Sequence, residues 1–118
     1  MKIREIVRLL NAKILCGEDL LDEEVVAACG SDMMSDVLAY VKDQALLLTG
    51  LLNPQVIRTA MMMDMRCIVF VRSKLPDEET INLASKHHIV VLATADRMFE
   101  ACGKLYAGGL GNEVGQDG

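Results

Sequence analysis

From residue 45 onward the chain alternates short apolar runs with amphipathic segments, and very few folds accommodate that order. The apolar runs, at residues 45–49, 67–71 and 89–93, each have the length and composition of a buried strand. Strands that are separated by a helix and by short connections pair in parallel, with right-handed crossovers. Because the runs are apolar on both sides, helices must cover both faces of the sheet. The order therefore predicts an α/β domain.

Capping residues mark where the helices of this half begin. Asn53 is followed by a proline, which suits the first helical position, and the predicted helix runs on to Asp64. Residues 76–79 start the next helix with a proline, an aspartate and two glutamates, whose charges suit a helix N-terminus. Thr94 or Asp96 is expected to cap the last helix. Each of the three strands is therefore followed by one helix.

The first part of the chain adds two weaker strand signals and two helices. Apolar residues repeat at helical spacing over residues 3–10, and residues 12–16 predict a strand whose place, at an edge or in antiparallel pairing, the sequence leaves open. Residues 25–29 form a second apolar run. A helix is expected to begin between residues 32 and 35 and to end near Lys42. The full prediction is a single three-layer domain with a mostly parallel twisted sheet of about five strands and helices on both faces.

The length of the chain fits one domain and a short tail. With 118 residues, the chain is long enough to bury a core without disulfide or metal support. We predict that residues 1–107 form the α/β domain. Residues 108–118 hold five glycines and little to bury, which predicts a flexible, glycine-rich C-terminal tail.

Charge and hydropathy argue against two broad classes of partner. The net charge is −5, whereas proteins that bind the phosphate backbone of nucleic acids need clustered Lys and Arg. The apolar runs are far shorter than the roughly 20 residues of a membrane span. The N-terminus mixes charged with apolar residues and lacks the features of a signal peptide. We therefore expect no nucleic-acid partner, no membrane partner and a cytoplasmic location.

The cysteines stand far apart in the chain, at Cys16, Cys29, Cys67 and Cys102. They form no CxxC pair and no Cys-His cluster at zinc spacing. In a reducing cytosol they are expected to be free thiols, several of them buried as small hydrophobic side chains. A redox-sensing cysteine is the alternative.

In open α/β sheets, ligands collect beyond the carboxyl ends of the strands, where loops lead into helix N-termini. Four loops qualify, at residues 30–32, 49–53, 72–74 and 94–97. The candidate ligand-binding residues are Thr49, Gly50, Asn53, Arg72, Lys74, Thr94, Asp96 and Arg97. Cations at such an edge suit a nucleotide phosphate or a carboxylate. The alternative is that the hydroxyl and amide side chains only cap helices and that the cations are ordinary surface charges.

The sequence offers no catalytic or metal-binding motif. It contains no GxxxxGK[ST] loop, and no GxGxxG opens a helix after a strand, which disfavours a kinase or a dehydrogenase. His87 and His88 are adjacent near a helix C-terminus, where their side chains point about 100° apart and do not share a metal. A nucleophile, a base and an orienting group cannot be assembled from one neighbourhood. We therefore predict a protein that is not an enzyme and has no cofactor and no metal.

Four methionines surround Asp64 on one predicted helix: Met61, Met62, Met63 and Met65. Such a run cannot face a single direction, so part of it must be covered by something other than the sheet of the same chain. In so small a domain that cover is expected to be a second subunit, which predicts a homodimer. The alternative is that the methionines fill an ordinary core.

Three long segments give the chain a family resemblance. They are IREIVRLLNAKILCGEDLLDEEV near the start, ALLLTGLLNPQVIRTAMMMDM in the middle and LPDEETINLASKHHIVVLATADRMFEACGKLY near the end. Over about residues 1–110 the chain resembles the DRTGG-domain family. This family is similar to the N-terminal domain of bacterial HPr kinase/phosphorylase and occurs as an accessory region of CBS-domain pyrophosphatases and phosphotransacetylases. The resemblance implies an α/β regulatory or ligand-sensing module, often dimeric, without the kinase chemistry that the HPr enzymes keep in a separate P-loop domain.

The chain departs from the family pattern at two loops. Many members carry Asp-Arg where this chain has Asn53 and Pro54, and Gly-Gly where it has Arg72 and Ser73. The resemblance therefore implies a divergent, stand-alone member. One function that follows is a sensor of a nucleotide or phosphate-bearing metabolite, with adenine nucleotides as first candidates by analogy with the CBS proteins. The other is a module for dimerisation and for docking to a regulatory protein partner, without a small ligand.

Overall fold

The computed structural model describes residues 1–40 and 45–111 of the chain. Within these residues the strands are β1 (Lys13–Cys16), β2 (Ala27–Gly30), β3 (Ala45–Thr49), β4 (Cys67–Phe70) and β5 (Val90–Ala93). The α-helices are α1 (Ile3–Leu10), α2 (Met34–Tyr40), α3 (Pro54–Met62), α4 (Glu78–Lys86) and α5 (Met98–Ala107), and a short 3-10 helix covers Glu18–Leu20. The predicted α/β class is confirmed.

The strands form one five-stranded sheet in the order β1-β5-β4-β3-β2. The strands β2 to β5 pair in parallel, whereas β1 runs antiparallel to β5. The first strand, whose place the sequence left open, is therefore an antiparallel edge strand. Because the four parallel strands point the same way, the loops that follow them lie at one end of the sheet, which we call the carboxyl edge.

Apolar side chains fill both faces of the sheet. One face is covered by α1 and α5, whose Ile6 and Leu105 pack in a cluster with strand residues such as Leu48. The opposite face is covered by α2, α3 and α4, where Ile57 packs in a second cluster with strand residues such as Ile68. Burial of each large aliphatic side chain contributes about 1.5–3 kcal/mol. The predicted three-layer arrangement is thus confirmed.

Helix α3 begins as predicted but ends before Asp64. The Asn53 side chain accepts a 2.9 Å hydrogen bond from the Gln55 amide, and Pro54 is the first helical residue. The helix ends at Met62, and Asp64 has a φ of 54°. The predicted extension to Asp64 is wrong, because a residue with positive φ cannot continue a right-handed helix.

The cap of α5 also differs from the prediction. Its N-cap residue is Arg97, whose backbone amide donates a 3.1 Å hydrogen bond to the Glu100 carboxylate. Neither Thr94 nor Asp96 caps the helix, because the loop after β5 continues beyond both of them. The hydroxyl of Thr94 instead donates a 2.8 Å hydrogen bond to the Leu10 carbonyl, which fastens the end of α1 to this loop.

The packed core extends beyond the predicted domain boundary at residue 107. Leu110 is 3% exposed, and its amide donates a 3.0 Å hydrogen bond to the Leu105 carbonyl. The remaining tail, residues 112–118, and the predicted end of α2 near Lys42 lie outside the described residues.

Candidate functional site

A cleft of about 410 Å³ lies at the carboxyl edge of the sheet. Its lining residues are Gly30, Ser31, Asp32, Val71, Arg72, Arg97, Met98 and Phe99. The loops after β2, β4 and β5 therefore meet around one cavity, as expected for parallel strands. The lining combines two arginines, one aspartate and one phenylalanine.

The carboxylate of Asp32 joins the loop after β2 to the end of β3. Its Oδ1 accepts hydrogen bonds from the Gly50 amide at 2.7 Å and from the Thr49 hydroxyl at 3.0 Å. Its Oδ2 lies 4.0 Å from Nη2 of Arg72, and a pair of such exposed side chains contributes little to stability. The Gly50 hydrogen bond is the main cause that lowers the pKa of Asp32, and Thr49 and Arg72 add to it against the opposing effect of burial. The ionised carboxylate therefore occupies the donors at the end of β3.

The loop after β4 adopts a conformation that side chains rarely take. Arg72 and Ser73 have φ values of 61° and 57°, and the left-handed region costs L-residues roughly 1–2 kcal/mol each. The Arg72 amide donates to the Asp96 carbonyl at 2.8 Å, and the Ser73 amide donates to the Thr94 carbonyl at 2.9 Å. These hydrogen bonds to the loop after β5 hold the conformation. Glycine would adopt this conformation without strain.

The guanidinium group of Arg72 lies over the backbone of Gly50. A Cβ atom at Gly50 would collide with Nη2 of Arg72 and would lie 3.1 Å from its Cζ. The missing side chain at Gly50 thus gives the arginine room to extend toward Asp32. The Arg72 side chain is 49% exposed, so its remaining donors are accessible to a ligand.

Gly30 allows β2 to approach α5 closely. A Cβ atom at Gly30 would lie 3.0 Å from Sγ of Cys102 and 3.0 Å from Sδ of Met98. Since Gly30 and Met98 both line the cleft, this approach forms the wall between the end of β2 and the first turn of α5.

Phe99 borders the cleft with 89% of its surface exposed, although it was not among the predicted site residues. It is the second residue of α5, directly after the loop that carries Arg97. The buried residues of the same helix are Ala101 and Leu105. Only the position of Phe99 beside a loop of the carboxyl edge could have identified it, because an aromatic residue in a helix is normally assigned to the core.

The hydroxyl groups of the two candidate threonines form hydrogen bonds within the protein. Thr49 and Thr94 are 0% and 2% exposed. The hydroxyl of Thr49 donates to Asp32, and that of Thr94 donates to the Leu10 carbonyl. Both hydroxyls are therefore engaged in hydrogen bonds that hold loops together.

Of the remaining candidate site residues, one caps a helix, one forms an ion pair and one is exposed away from the cleft. Asn53 caps α3, so its side chain is engaged there. The carboxylate of Asp96 pairs with the Lys104 ammonium at 2.8 Å. Lys74 is exposed and is not a lining residue of the cleft. Among the predicted cations, Arg72 and Arg97 are thus the two that border the cavity.

All four cysteines are free thiols. Burial is the main cause that raises the pKa of each, most strongly for Cys67, which lies in the central strand β4. A raised pKa lowers the fraction of thiolate, which is the reactive form. Of the four thiols, Cys67 is buried, whereas Cys16, Cys29 and Cys102 are only partly buried, so fewer thiols are buried than predicted.

Neither a metal-binding cluster nor a membrane-spanning helix occurs within residues 1–40 and 45–111. No group of three or more His, Cys, Asp or Glu side chains there could hold a metal ion. No helix in those ranges combines the length and the apolar character needed to cross a bilayer.

Comparison with known proteins gives a family and one informative fold relative. The family model of the DRTGG domain matches residues 5–107 of the chain, whereas no curated protein sequence matches it. The fold is similar to a crystal structure of the CBS and DRTGG domains of the regulatory region of Clostridium perfringens pyrophosphatase, complexed with the activator diadenosine tetraphosphate. The TM-score is 0.70 at 16% sequence identity, and the match covers 88% of this chain and 45% of that one. Because the family model spans nearly all of the described residues, the protein belongs to the DRTGG domain family.

Proposed function

We propose that this chain is a non-catalytic regulatory module that binds a nucleotide or another phosphate-bearing small molecule in the cleft at the carboxyl edge. The observation that carries the proposal is that Arg72 and Arg97, which follow different strands, border the same cavity. Guanidinium groups bind phosphate through paired, charge-assisted hydrogen bonds. A cavity of about 410 Å³ also falls within the size range of small-molecule sites.

The backbone of Arg72 supports this proposal. Its positive φ costs free energy, and strained residues of this kind cluster at ligand sites. A glycine would relieve the strain, but it would also remove the cation from the cleft. Arg72 thus keeps a cation at the cleft in spite of its strained backbone.

Asp32 limits how deeply an anion enters. Its carboxylate already accepts from the Gly50 amide and the Thr49 hydroxyl. A phosphate group would therefore bind at the outer part of the cleft, beside Arg72 and Arg97. These two arginines carry the proposed binding, and Thr49 and Gly50 hold Asp32 of the loop after β2 in place.

The fold relative supports a regulatory role. The pyrophosphatase regulatory region was crystallised with a nucleotide activator, diadenosine tetraphosphate. That region also contains CBS domains, and the match covers less than half of it, so the site of its nucleotide is not transferred to this chain. The likeness makes adenine nucleotides the first ligands to test.

The proposal includes binding without turnover. Phosphoryl transfer depends on a cradle of backbone amides, a lysine and a held Mg²⁺ ion, and the sequence carries no GxxxxGK[ST] loop. We expect phosphate release from ATP in the presence of Mg²⁺ to stay at background. Release that is proportional to protein across two purification schemes would contradict this part of the proposal.

Thermal-shift measurements with ATP, ADP, AMP and metabolic phosphates test the binding directly. A ligand at 100 times its dissociation constant stabilises its protein by about 2.7 kcal/mol. The variant Arg97→Ala should weaken binding by about 1.5–3 kcal/mol and leave the stability of the free protein nearly unchanged. As a matched control, Arg58→Ala removes an exposed arginine of α3 and should bind as the parent does. Equal ligand-induced stabilisation in Arg97→Ala and the parent would count against the proposal.

A second candidate function is dimerisation or protein docking without a small ligand. The observation that favours it is the exposure of Met62 and Met61 on α3, at 71% and 39%. Grouped exposed apolar side chains are typical of interaction surfaces. We propose that a second copy of the chain covers these methionines in a homodimer, which is compatible with ligand binding at the carboxyl edge.

A further inference from the structure

We infer that the ligand of the cleft is a nucleotide whose base stacks on Phe99, and not a sugar phosphate or another phosphate compound without a base. This inference rests on the proposed function and narrows the class of ligand. It is carried by the observation that one exposed aromatic residue and two arginines line the same cavity.

The exposure of Phe99 is not explained by folding. The side chain is 89% exposed, so the burial that would contribute roughly 1.5–3 kcal/mol for a phenylalanine is almost entirely unrealised. The same helix buries Ala101 and Leu105 against the sheet, so α5 is held in place without help from Phe99.

The neighbours of Phe99 define the chemistry that it can recognise. Met98 and Phe99 supply apolar surface, and Arg72 and Arg97 supply positive charge in the same cleft. A nucleotide carries both matching groups, because its base presents an aromatic face and its phosphates are anionic. A sugar phosphate would use the arginines but has no aromatic face to stack on the ring.

Asp32 helps to orient such a ligand. Its carboxylate lies among the lining residues and would repel phosphate from the end of β3. Its contact with Arg72 is long, at 4.0 Å between exposed side chains, so this arginine is able to turn toward an incoming phosphate. The phosphates would then lie beside the arginines while the base lies on the ring.

A second exposed aromatic residue on the same helix provides a control. Tyr106 is 70% exposed on α5 but is not a lining residue of the cleft. A protein that docked along the outer side of α5 would use both aromatic rings. A nucleotide in the cleft would use only Phe99.

Calorimetric titrations with ATP, GTP, CTP and tripolyphosphate, without Mg²⁺, test the inference. Tripolyphosphate supplies the charges of a triphosphate without a base. The parent should bind at least one nucleotide more tightly than tripolyphosphate. The variant Phe99→Ala should lose roughly 5- to 150-fold in affinity for that nucleotide, which corresponds to about 1–3 kcal/mol for one stacked base. Its affinity for tripolyphosphate should change less than about twofold, and Tyr106→Ala should change neither affinity.

The possible failures are distinguishable. If nucleotides and tripolyphosphate bind equally, or if Phe99→Ala leaves their ratio unchanged, base recognition by Phe99 is wrong while phosphate binding by the arginines stands. If Phe99→Ala and Tyr106→Ala weaken nucleotide binding equally, a specific stack in the cleft is also excluded. If no probe binds the parent, or if Arg72→Ala and Arg97→Ala leave all binding unchanged, the proposed function fails and the inference fails with it.

Discussion

The carboxylate of Asp32 accepts a 2.7 Å hydrogen bond from the amide of Gly50, a residue 18 positions further along the chain. The same oxygen accepts from the Thr49 hydroxyl, which is buried at the end of β3. One side chain thus satisfies two donors that a bound anion would otherwise have to satisfy. The donors at the end of β3 are therefore satisfied within the chain, which leaves Arg72 and Arg97 as the groups that we propose to bind an anion.

Replacing this carboxylate should lower stability in a pH-dependent way. Asp32→Asn keeps an oxygen acceptor but loses the charge, so the free energy of unfolding at pH 7 should fall by up to about 1 kcal/mol. The pKa of Asp32 is lowered in the folded state. Its charge therefore contributes stability above the ordinary aspartate pKa of about 3.9, and this contribution is lost as the pH falls through the lower folded value.

Urea unfolding of the parent and Asp32→Asn between pH 7 and pH 3 measures this effect. The difference in stability should be constant at neutral pH and should shrink below about pH 3.9. Asp19→Asn, which changes an exposed carboxylate in the 3-10 helix, is the control and should stay within about 0.5 kcal/mol of the parent. If the difference in unfolding free energy between the parent and Asp32→Asn grows as the pH falls, the ionised carboxylate does not stabilise the folded state.

Glycine substitutions at the loop after β4 should separate stability from binding. Arg72 and Ser73 both have positive φ, so Arg72→Gly should be about 1 kcal/mol more stable than Arg72→Ala, which keeps the strain. Both changes at Arg72 should abolish its contribution to phosphate binding. Ser73→Gly should relieve strain and leave binding unchanged.

Chemical denaturation and ligand titration of these three variants check the prediction. Arg72→Gly that is no more stable than Arg72→Ala would argue against strain at this residue. Loss of binding in Ser73→Gly would show that the loop conformation, and not the arginine side chain, determines affinity.

Features of the structure that depend on neighbouring residues could be predicted from the sequence. The start of α3 was predictable because its signals, Asn53 and Pro54, are local and act on the adjacent backbone. The sequence also predicted that the loops of Arg72 and Arg97 lie close together, because parallel strands bring the loops that follow them to one edge of the sheet. Both arginines do line the same cleft.

Other features depend on contacts between distant parts of the chain. The bond from Gly50 to Asp32 requires β2 to lie beside β3, and the sequence does not determine the strand order. The exposure of Phe99 depends on how α5 is rotated on the sheet, which its mixed pattern of apolar residues does not specify. The end of α3 before Asp64 depends on a single left-handed residue.

Two buried threonines should respond oppositely to the same substitution. Thr59 and Thr80 are 0% and 1% exposed, and both lie in helices. Among the described residues, Oγ1 of Thr59 has no hydrogen-bond partner, whereas the side chain of Thr80 is hydrogen-bonded to Asp77. Thr59→Val should raise the free energy of unfolding by about 1 kcal/mol because it removes an unsatisfied buried hydroxyl.

Thr80→Val is the matched comparison. It should lower the free energy of unfolding by about 1 kcal/mol, because it breaks a hydrogen bond to the carboxylate that caps α4. Urea denaturation of both variants at neutral pH gives the sign directly. A loss of stability in Thr59→Val would mean that its hydroxyl finds a partner in solution.

The proposed homodimer makes a last prediction at the end of α3. Met62 is 71% exposed, so Met62→Lys should hardly change the fold of one subunit but would place an ammonium group in an apolar interface, where it lacks a partner. Sedimentation velocity at micromolar concentrations should show a dimer for the parent and a dissociation constant raised on the order of tenfold or more for Met62→Lys. Leu75→Lys changes an apolar residue that is 56% exposed in the loop before α4 and should leave the dimer intact. A parent that sediments as a monomer at the highest accessible concentration would exclude the dimer, and equal weakening by both lysines would exclude Met62 as its centre.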